Sequence, residues 1–498
     1  METILESSSL RLRYRAILSL TGAVWAMVGA LMLVPLALLL FYPEDAPRAA
    51  AFLYPGLAFC ALGLALWRGL RPREPLDLSF TEGGVIVLLS WVGACLASAV
   101  PLMIGNGLNF TQAVFESVSG WTTTGLSVVD VTQAGPLILF WRSLMQLSGG
   151  AGLAIIMLSA LTGPTGPSVS SAEGREQLVP HVRRSARLVL LIYAIYNVIG
   201  ITTLTLAGMS LFDAVNHTFA ALSTGGFGTH PESYGYWNSP LIEAITIVLM
   251  IAGNLSFVTS YHLMHGRLRT VMRNGEVRLQ AVVLPVCIIL LLLGTTLALY
   301  PTLGKALRVA AFESVTALTT TGFATVGYGG WNGLGILIMI ALMLIGGGTC
   351  STAGGIKQMR VYLLFKALVW EIKRPFLPRS AVIEHAVWEG EQRVFIQDDR
   401  LRQIGAFVTL YLLTYLVGTL ILVAHGYSLR DSLFEFASAL GTVGLSVGVT
   451  LPGAPPAVLW TETLGMFLGR LEFFVIFLGV FKLIRDVPRL IRSRPARG

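Results

Sequence analysis

The chain has 498 residues, of which 54% are apolar and only 12% are charged. Soluble proteins carry about 25% Asp, Glu, Lys and Arg, so the composition argues against a soluble enzyme, a disordered chain and a disulfide-stapled secreted domain. The 35 basic residues outnumber the 27 acidic ones. Membrane proteins concentrate such a bias in their cytoplasmic loops, so no nucleic-acid partner is expected. Four cysteines without a shared spacing predict neither a disulfide framework nor a zinc site: Cys60, Cys95, Cys287 and Cys350.

Long apolar segments follow one another along the whole chain. A transmembrane helix needs about 20 mostly apolar residues, and about ten segments meet this requirement. The first of them is too long for a signal peptide and lacks a small-residue cleavage site. The segments lie near residues 16–42, 50–67, 84–104, 137–161, 187–209, 239–264, 280–300, 333–349 with an interrupted extension to about 370, 405–425 and 456–484.

Basic residues lie before the first span and in every second connection after it. Because Lys and Arg are enriched in cytoplasmic loops, both termini are expected in the cytoplasm. The only sizeable soluble piece is residues 374–402, which is too short for a catalytic domain. The Arg-rich segments 175–187 and 267–278, together with this piece and the basic tail, fit either anionic lipid or a docking face for a cytosolic partner.

Four shorter apolar segments share one pattern, and we number them copies one to four. Each ends in an apolar residue, then Thr, Ser or Gly, then Thr, one variable residue, Gly, and Leu or Phe. Four such segments in step, each between two spans, are a strong sign of an internal repeat. The copies are FESVSGWTTTGLS (115–127), NHTFAALSTGGFG (216–228), FESVTALTTTGFA (312–324) and FEFASALGTVGLS (434–446), aligned on Gly125, Gly226, Gly322 and Gly444.

Each copy is predicted to form a span, a half-helix, a glycine-containing turn and a second span. A half-helix of about 12 residues is about 18 Å long, so it ends inside the roughly 30 Å apolar core. At that depth, backbone without helical hydrogen bonds is tolerated only where it is buried in protein or lines a water-filled cavity. Four turns around one axis would form a carbonyl ring like a potassium filter, whereas ordinary helix ends capped by glycine need no shared Thr. The predicted filter, which binds K⁺ by backbone carbonyls, is Thr123, Thr124, Gly125, Thr224, Gly225, Gly226, Thr320, Thr321, Gly322, Thr442, Val443 and Gly444.

An ionisable residue stands nine positions before each filter glycine. Glu116, Glu313 and Glu435 would either attract cations directly or brace the filter by hydrogen bonds from behind. Bracing is favoured, because each carboxylate lies several residues before the carbonyl-lining stretch. His217 takes this position in copy two, which weakens the case for a ring of four carboxylates.

The second span of copy three is interrupted by a run of small residues at 346–355. A phosphate-binding P-loop would need Gly-Lys-Ser/Thr, but Ile356-Lys357-Gln358 follows Gly355. Close helix packing explains one or two glycines rather than a whole run. A hinge or plug below the filter is favoured, with hydroxyls that contact a passing cation. The predicted gate is Gly346, Gly347, Gly348, Thr349, Cys350, Ser351, Thr352, Ala353, Gly354 and Gly355, with Lys357 and Arg470.

Arg470 stands mid-way along the last predicted span. An Arg at that depth costs at least ~2.5–3.5 kcal/mol, so it should face protein or water and have a partner. One interpretation is a structural ion pair with Glu472 or Glu462. The other places its charge beside the pore, where it repels a second cation or holds the intramembrane loop shut.

These features together resemble a known family. Four repeats of span, half-helix, single filter glycine and span are similar to the Trk/Ktr/HKT superfamily of potassium transporters. Two extra N-terminal spans make the chain most similar to the bacterial TrkH type. The segment GGGTCSTAGGIKQMR (346–360) resembles that family's intramembrane loop and is the most specific match. FWRSLMQLSGGAG (140–152) also resembles family sequence, and the resemblance covers nearly the whole chain.

The resemblance implies K⁺ uptake across the bacterial inner membrane by a homodimer with one pore per subunit. It also implies a cytosolic TrkA-like partner that binds the regulatory nucleotide, ATP/ADP or NAD(H). Conduction would run down the electrochemical gradient, since the chain has no nucleotide-hydrolysis site. Glycine at all four filter positions resembles K⁺-selective members. A single glycine per copy and the divergent copy four predict only moderate discrimination against Na⁺.

The predicted fold is an all-α polytopic membrane protein, with four pseudo-fourfold repeats around a central pore and two N-terminal helices. No enzymatic activity and no bound cofactor are expected. One alternative is a secondary transporter coupled to Na⁺ or H⁺, which predicts inverted or twofold repeats. Another is a membrane-embedded hydrolase using His262, His265 and Glu243, for which no converging metal set is recognisable. The chain is predicted to consist of an N-terminal two-helix domain (1–75), pore repeats one to three (76–170, 171–278 and 279–374), a cytoplasmic loop (375–402) and pore repeat four with the basic tail (403–498).

Overall fold

The structure is a computed structural model. It is mostly helical, and a single small antiparallel hairpin, β1 (Ala386–Glu389) with β2 (Gln392–Phe395), lies in its described part. The prediction of an all-α polytopic membrane fold is confirmed at this level. The boundaries of the six predicted segments stay a prediction. The structure describes residues 2–73, 76, 78–152, 182–376, 378, 385–389, 392–471 and 473–492.

Two N-terminal helices, α1 (Glu2–Leu33) and α2 (Ala49–Gly69), form a hairpin joined by 3₁₀ turns over Val34–Leu40 and Pro43–Arg48. Their backbones approach closely, because a β-carbon on Gly29 or Gly63 would overlap the backbone of the opposite helix. Small residues at helix–helix contacts are typical of membrane proteins, where close van der Waals packing drives association. This hairpin packs on the first span of copy one.

The remaining helices repeat the order of span, half-helix and second span. They are α3 (Phe80–Asn106), α4 (Phe110–Trp121), α5 (Pro136–Ala151), α6 (Val182–Leu206), α7 (Leu211–Leu222), α8 (Pro240–Asn254), α9 (Phe257–Met264), α10 (Leu268–Arg273), α11 (Gly275–Leu291, continued by a π-helical turn Leu292–Thr296 and by Leu297–Leu299), α12 (Leu303–Leu318), α13 (Gly333–Ile345), α14 (Gln358–Lys373), α15 (Asp398–Ala424), α16 (Leu429–Gly441), α17 (Pro456–Leu471) and α18 (Phe473–Arg492). Short 3₁₀ turns cover Ser233–Tyr236 and Arg374–Phe376.

The half-helices are α4, α7, α12 and α16, and a side-chain cap fixes where each one begins. Asn109, Ser210, Thr302 and Ser428 each accept a hydrogen bond from the backbone N–H three residues later, at 3.0–3.3 Å. Such caps satisfy a backbone donor that a helix start leaves unpaired. Phe115, Phe312 and Phe434, ten residues before their filter glycines, are fully buried. The core of the protein therefore surrounds the half-helices.

Within the described residues, six helices or helix runs are long and apolar enough to cross a membrane, or eight if each bent pair counts as one span. The bent pairs are α8 with α9, at 117°, and α17 with α18, at 103°. The sequence predicts a break only in copy three, so the bends in copies two and four differ from the expected straight spans. In copy two the break follows from Ser256, which caps α9 by accepting from the Thr259 N–H.

Candidate functional site: four turns and an intramembrane loop

Each half-helix ends in the same left-handed residue, two positions before the filter glycine. The φ angle is 55° at Thr123, 53° at Thr224, 54° at Thr320 and 52° at Thr442. Positive φ is rare for a β-branched residue, and residues held in such conformations cluster at functional sites. In every copy the next residue donates its backbone N–H to a carbonyl of the half-helix, at 2.8–2.9 Å. The four turns therefore share one backbone conformation.

The four turns close into a ring. A β-carbon on Gly125 would collide with the carbonyl oxygen of Gly225 in copy two. Each filter glycine has a positive φ between 75° and 98°. Glycine is therefore required for two reasons: its backbone has a positive φ, and the carbonyl of the next copy leaves no room for a β-carbon. In the same way, a β-carbon on Gly226 would collide with the carbonyl oxygen of Thr321, one on Gly322 with that of Val443, and one on Gly444 with that of Thr124, which closes the ring.

The residue before each filter glycine contributes its carbonyl to this ring, while its side chain is directed elsewhere. The hydroxyls of Thr124 and Thr321 bond within their own turns, 2.7 Å and 2.8 Å from the hydroxyls of Thr122 and Thr319. Val443 is fully buried. The divergence of copy four therefore changes a packed side chain and leaves the backbone ring intact.

Three buried carboxylates hold the chain that returns from the ring. Glu116 accepts hydrogen bonds from the Ser127 hydroxyl and the Val128 N–H, both at 2.9 Å. Glu435 makes the same two bonds in copy four, at 2.6 Å and 2.9 Å. Glu313 accepts both the backbone N–H and the hydroxyl of Thr325, at 2.9 Å and 2.7 Å. All three carboxylates contact the chain behind the ring, which is the geometry that bracing requires.

In copy two, the carboxylate that contacts the returning chain comes from Asp213, which the sequence did not single out. Nδ1 of His217 lies 3.0 Å from the carbonyl oxygen of Asp213, and its ring packs against Tyr234 and Trp237. The carboxylate of Asp213, one helical turn earlier, accepts a hydrogen bond from the Thr229 hydroxyl at 2.6 Å. Thr229 lies three positions after the filter glycine, like Thr325 of copy three. Asp213 therefore makes in copy two the carboxylate contact that Glu313 makes in copy three. His217, the predicted support residue, contacts its own half-helix instead.

Two polar side chains of α5 connect copies one and two, and the sequence did not reveal either role. Arg142 donates to Glu116 at 2.7 Å and to the carbonyl of Gly228 at 3.2 Å. One turn later, Gln146 donates to the carbonyl of Gly225 at 2.5 Å and accepts from the Phe227 N–H at 3.2 Å. The only sequence signal was that both lie in the 140–152 segment. Gln146 therefore brackets the filter glycine of copy two.

The predicted gate loop lies directly against the four left-handed threonines. The Thr352 carbonyl lies 3.4 Å from the Thr123 hydroxyl, and the Thr352 hydroxyl lies 3.1 Å from that of Thr224. The Gly354 N–H donates to the Thr320 hydroxyl at 3.0 Å. A β-carbon on Gly354 would collide with the hydroxyl of Thr442. One segment of the loop thus contacts all four copies at the left-handed threonines of their turns.

Basic side chains contact the backbone of the loop. Arg470 donates to the carbonyl of Thr352, and its other terminal nitrogen donates to the carbonyl of Gly149 at 2.9 Å. Lys357 donates to the carbonyl of Ala353. Arg470 lies in the last turn of α17, at the bend, and not mid-way along a straight span as predicted. Of its two predicted carboxylate partners, Glu462 accepts instead from the Thr450 hydroxyl at 3.1 Å, and Glu472 lies outside the described residues.

The residues considered for a hydrolase do not form a common site. Nδ1 of His265 lies 2.9 Å from the carbonyl of Tyr261, one turn earlier. Glu243 accepts from Arg308 at 3.0 Å. Over the part of the chain that the structure describes, no three His, Cys, Asp or Glu side chains come together as metal ligands. The polar groups that do converge are those of the ring and the loop.

Residues 51–485 match the family model TrkH, described as a cation transport protein. The chain belongs to the TrkH family. The match spans the N-terminal hairpin from α2 onward, all four copies and most of α18. It includes the ring and the intramembrane loop.

Individual proteins are similar to this chain over nearly their whole length. An uncharacterized cation transporter of Methanocaldococcus jannaschii is 30% identical over 96% of this chain and 97% of its own. The Trk system potassium uptake protein TrkH of Escherichia coli K12 is 29% identical over 93% of this chain and 98% of its own. The crystal structure of the potassium transporter TrkH from Vibrio parahaemolyticus superposes with a TM-score of 0.81 at 27% identity, covering 94% of this chain and 98% of that one. The chain is therefore a TrkH-family membrane transport protein.

Proposed function

We propose that this TrkH-family protein takes up K⁺ across a bacterial inner membrane through the ring of four turns. The observation that carries the proposal is the closure of the ring, in which each filter glycine packs against a carbonyl of the next copy. Carbonyl oxygens arranged in this way replace the hydration shell of a cation without adding net charge. The names of the relatives, a Trk system potassium uptake protein and a potassium transporter, support K⁺ as the cargo.

The ring would select by geometry and not by charge. Glu116, Glu313 and Glu435 are engaged with the returning chain behind the ring. The proposed ion site is therefore electrically neutral apart from carbonyl dipoles. A filter with one glycine per copy offers fewer ordered carbonyl layers than a longer filter. We therefore expect K⁺ and Rb⁺ to pass readily, and Na⁺ to be excluded only moderately.

The loop 346–355, with Lys357 and Arg470, would act as the gate. In the expected topology of each copy, the half-helix starts and the returning chain finishes on the same side of the membrane, so the left-handed threonine would be the deepest point of the turn. The loop contacts Thr123, Thr224 and Thr320, which supports a position in which it would close the inner end of the ring. Its glycines permit the backbone to move aside. An ion that leaves the ring inward would then require displacement of Thr352 and Gly354.

The assembly is part of the same proposal. We expect a homodimer with one pore per subunit, both termini in the cytoplasm and a cytosolic TrkA-like partner that carries the nucleotide, ATP/ADP or NAD(H). The support is the family resemblance together with relatives that are named as parts of a Trk system. Exposed arginines on the connection between copies two and three and at the start of α11 would offer a basic face for such a partner: Arg267, Arg269, Arg273 and Arg278. K⁺ itself would enter only as cargo.

Flux measurements in proteoliposomes test the proposal. We expect uptake of K⁺ and Rb⁺ driven by their own gradients, with less uptake of Na⁺. Absence of K⁺ and Rb⁺ flux, with and without the TrkA-like partner, would refute it. Flux that requires an imposed Na⁺ or H⁺ gradient would instead favour the ion-coupled secondary transporter. Deletion of residues 347–354 should raise the basal flux, and an unchanged flux would reduce the loop to a packing element.

A further inference from the structure

The edge of the intramembrane loop is held by two buried side chains from other elements. The Thr349 N–H donates to Oε1 of Glu276 at 2.6 Å, and the Gly348 N–H donates to Oδ1 of Asn254 at 3.1 Å. Glu276 and Asn254 are 5% and 0% exposed. Two consecutive backbone donors of the loop are thus satisfied by side chains, one of them a carboxylate. Hydrogen bonds to a charged acceptor are the stronger kind.

The position of Gly348 depends on these two groups. A β-carbon there would lie 2.7 Å from the carbonyl oxygen of Asn254 and 3.3 Å from Oε2 of Glu276. The loop backbone therefore lies directly on both residues. The Phe257 N–H adds a longer contact, donating to the carbonyl of Cys350 at 3.4 Å. This side of the loop rests on the bend of copy two and on the start of α11.

Both supporting residues are tied to the connection between copies two and three. Asn254 is the last residue of α8, at the 117° bend. Asn274 caps α11 by accepting from the Glu276 N–H at 2.9 Å, and its side-chain amide donates to the Thr259 hydroxyl at 3.2 Å. Movement of this connection would therefore carry the Glu276 carboxylate with it.

The same connection is exposed on its other side. Its arginines at 267, 269 and 273 are exposed, although Val271 between them is buried. The Arg273 guanidinium lies 5.0 Å from the ring centroid of Trp388 on the β1–β2 hairpin. Arg273 directly precedes Asn274. An exposed basic segment is thus linked through one cap residue to the carboxylate that holds the loop.

We propose that Glu276 and Asn254 form a latch that holds the intramembrane loop against the ring, and that movement of the connection 265–274 releases it. The inference rests on the proposed function, because it assigns the hold on the loop proposed there as the gate. It adds two positioning residues, which act through the backbone of residues 348 and 349 and touch no ion. It also assigns the route by which a partner on the basic face would open the pore.

Cys350 supplies a direct reporter for the latch, since it lies in the loop and is half-buried. In a background with Cys60, Cys95 and Cys287 replaced by Ala, we would measure the rate at which a maleimide modifies Cys350, together with basal Rb⁺ flux. Glu276→Ala removes the acceptor of the Thr349 N–H. Loss of a hydrogen bond to a charged acceptor shifts a two-state equilibrium about tenfold or more, so both rates should rise about tenfold. Asn254→Ala should raise both by a smaller factor.

Glu82 provides a matched control. It is a buried carboxylate in the first turn of a spanning helix, as Glu276 is, but it accepts from Arg13 at 2.6 Å instead of from the loop. Glu82→Ala should lower thermal stability while the Cys350 modification rate and the basal flux stay at the wild-type level. Equal increases in Glu82→Ala and Glu276→Ala would overturn the latch, because the effect would then be general loosening.

An unchanged modification rate in Glu276→Ala would also overturn the latch. If that variant does not yield folded protein, Glu276→Gln keeps the size of the side chain and a weaker, neutral acceptor. A smaller rise in the modification rate is then expected, and no rise would overturn the proposal. The two readouts separate the two hypotheses. A chain that passes no Rb⁺ in any variant contradicts the proposed function, while Cys350 modification still decides the latch.

Discussion

Nε of Arg142 lies 2.7 Å from Oε1 of Glu116, and the two side chains are 2% and 0% exposed. The guanidinium also donates to the Ser127 hydroxyl at 2.8 Å and to the carbonyl of Gly228. One ion pair therefore braces the returning chain of copy one and reaches that of copy two. In this arrangement a charge pair on a rigid helix aligns two neighbouring turns of the ring.

Arg142→Gln should lower the stability of the folded protein markedly. It leaves the Glu116 carboxylate buried without its cation, and removal of one partner of a buried pair costs about 3–5 kcal/mol. Thermal unfolding in detergent measures the effect as a lower midpoint. Arg402→Gln is the control, since the Arg402–Asp399 pair is 3.7 Å long and about four-fifths exposed, a type worth about 0–1 kcal/mol. Equal midpoints for the two variants would contradict the bracing role.

Gly322→Ser should reduce K⁺ flux strongly or shift the preference toward Na⁺. The new β-carbon would collide with the carbonyl of Val443, and φ at this position is 83°. The ring must therefore open or distort. Gly327→Ser is a matched control in the returning chain of the same copy, where an added β-carbon has nothing within 4 Å. Competition of Na⁺ against Rb⁺ uptake measures the preference. A wild-type flux together with a wild-type preference in Gly322→Ser would remove that glycine from the filter.

The copies and their glycines were predictable because the same backbone turn occurs four times in the chain. A repeated Thr-x-Gly between spans indicates that the turns share one backbone conformation. In the structure this is the left-handed conformation at Thr123, Thr224, Thr320 and Thr442. The start of each half-helix was also encoded locally, in caps such as Asn109 and Ser428. A local backbone geometry that occurs several times in a chain produces a repeated sequence pattern, which can be recognised in a single sequence.

Contacts between copies left no such pattern. Gln146 bonds to a turn about 80 residues away, and Arg470 reaches Thr352 across 118 positions. A glutamine or arginine in an apolar helix indicates that some partner exists, but not which one. The bend of copy two was missed because Asn254, Leu255 and Ser256 interrupt an otherwise continuous apolar run only briefly. Close approach between copies, as at Gly322, became visible only when the ring was assembled.

Gln146→Leu should weaken discrimination against Na⁺. The amide donates to the Gly225 carbonyl at 2.5 Å and accepts from the Phe227 N–H, so it fixes the backbone on both sides of Gly226. Leucine has a similar size but makes neither bond, which lets this quarter of the ring relax. The ratio of Na⁺ to Rb⁺ uptake should rise several-fold. Gln133→Leu, at an exposed loop position, should leave the ratio unchanged, and an equal ratio in both variants would exclude Gln146 from selectivity.

Asp213→Ala should disturb the filter of copy two, while the same change at the equivalent position of copy four should not. Asp213 and Asp431 both lie 13 residues before their filter glycines, and each accepts from the hydroxyl of its cap serine at 2.7 Å. Only Asp213 also accepts from the chain returning from the ring, through Thr229 at 2.6 Å. In copy four that contact belongs to Glu435.

The pair of variants therefore separates the brace from the helix cap. Each change leaves the serine cap in place and removes only the acceptor of the serine hydroxyl, a bond worth about 1 kcal/mol. Asp213→Ala also loses the bond from Thr229, so its thermal stability should fall at least as far as that of Asp431→Ala. Only Asp213→Ala should raise the ratio of Na⁺ to Rb⁺ uptake, because it alone frees the chain that follows Gly226. An equal change of the ratio in Asp431→Ala would show that the carboxylate's contact with the cap serine, and not the contact with Thr229, supports the filter. An unchanged ratio in both would leave the geometry of copy two to Gln146 and Arg142.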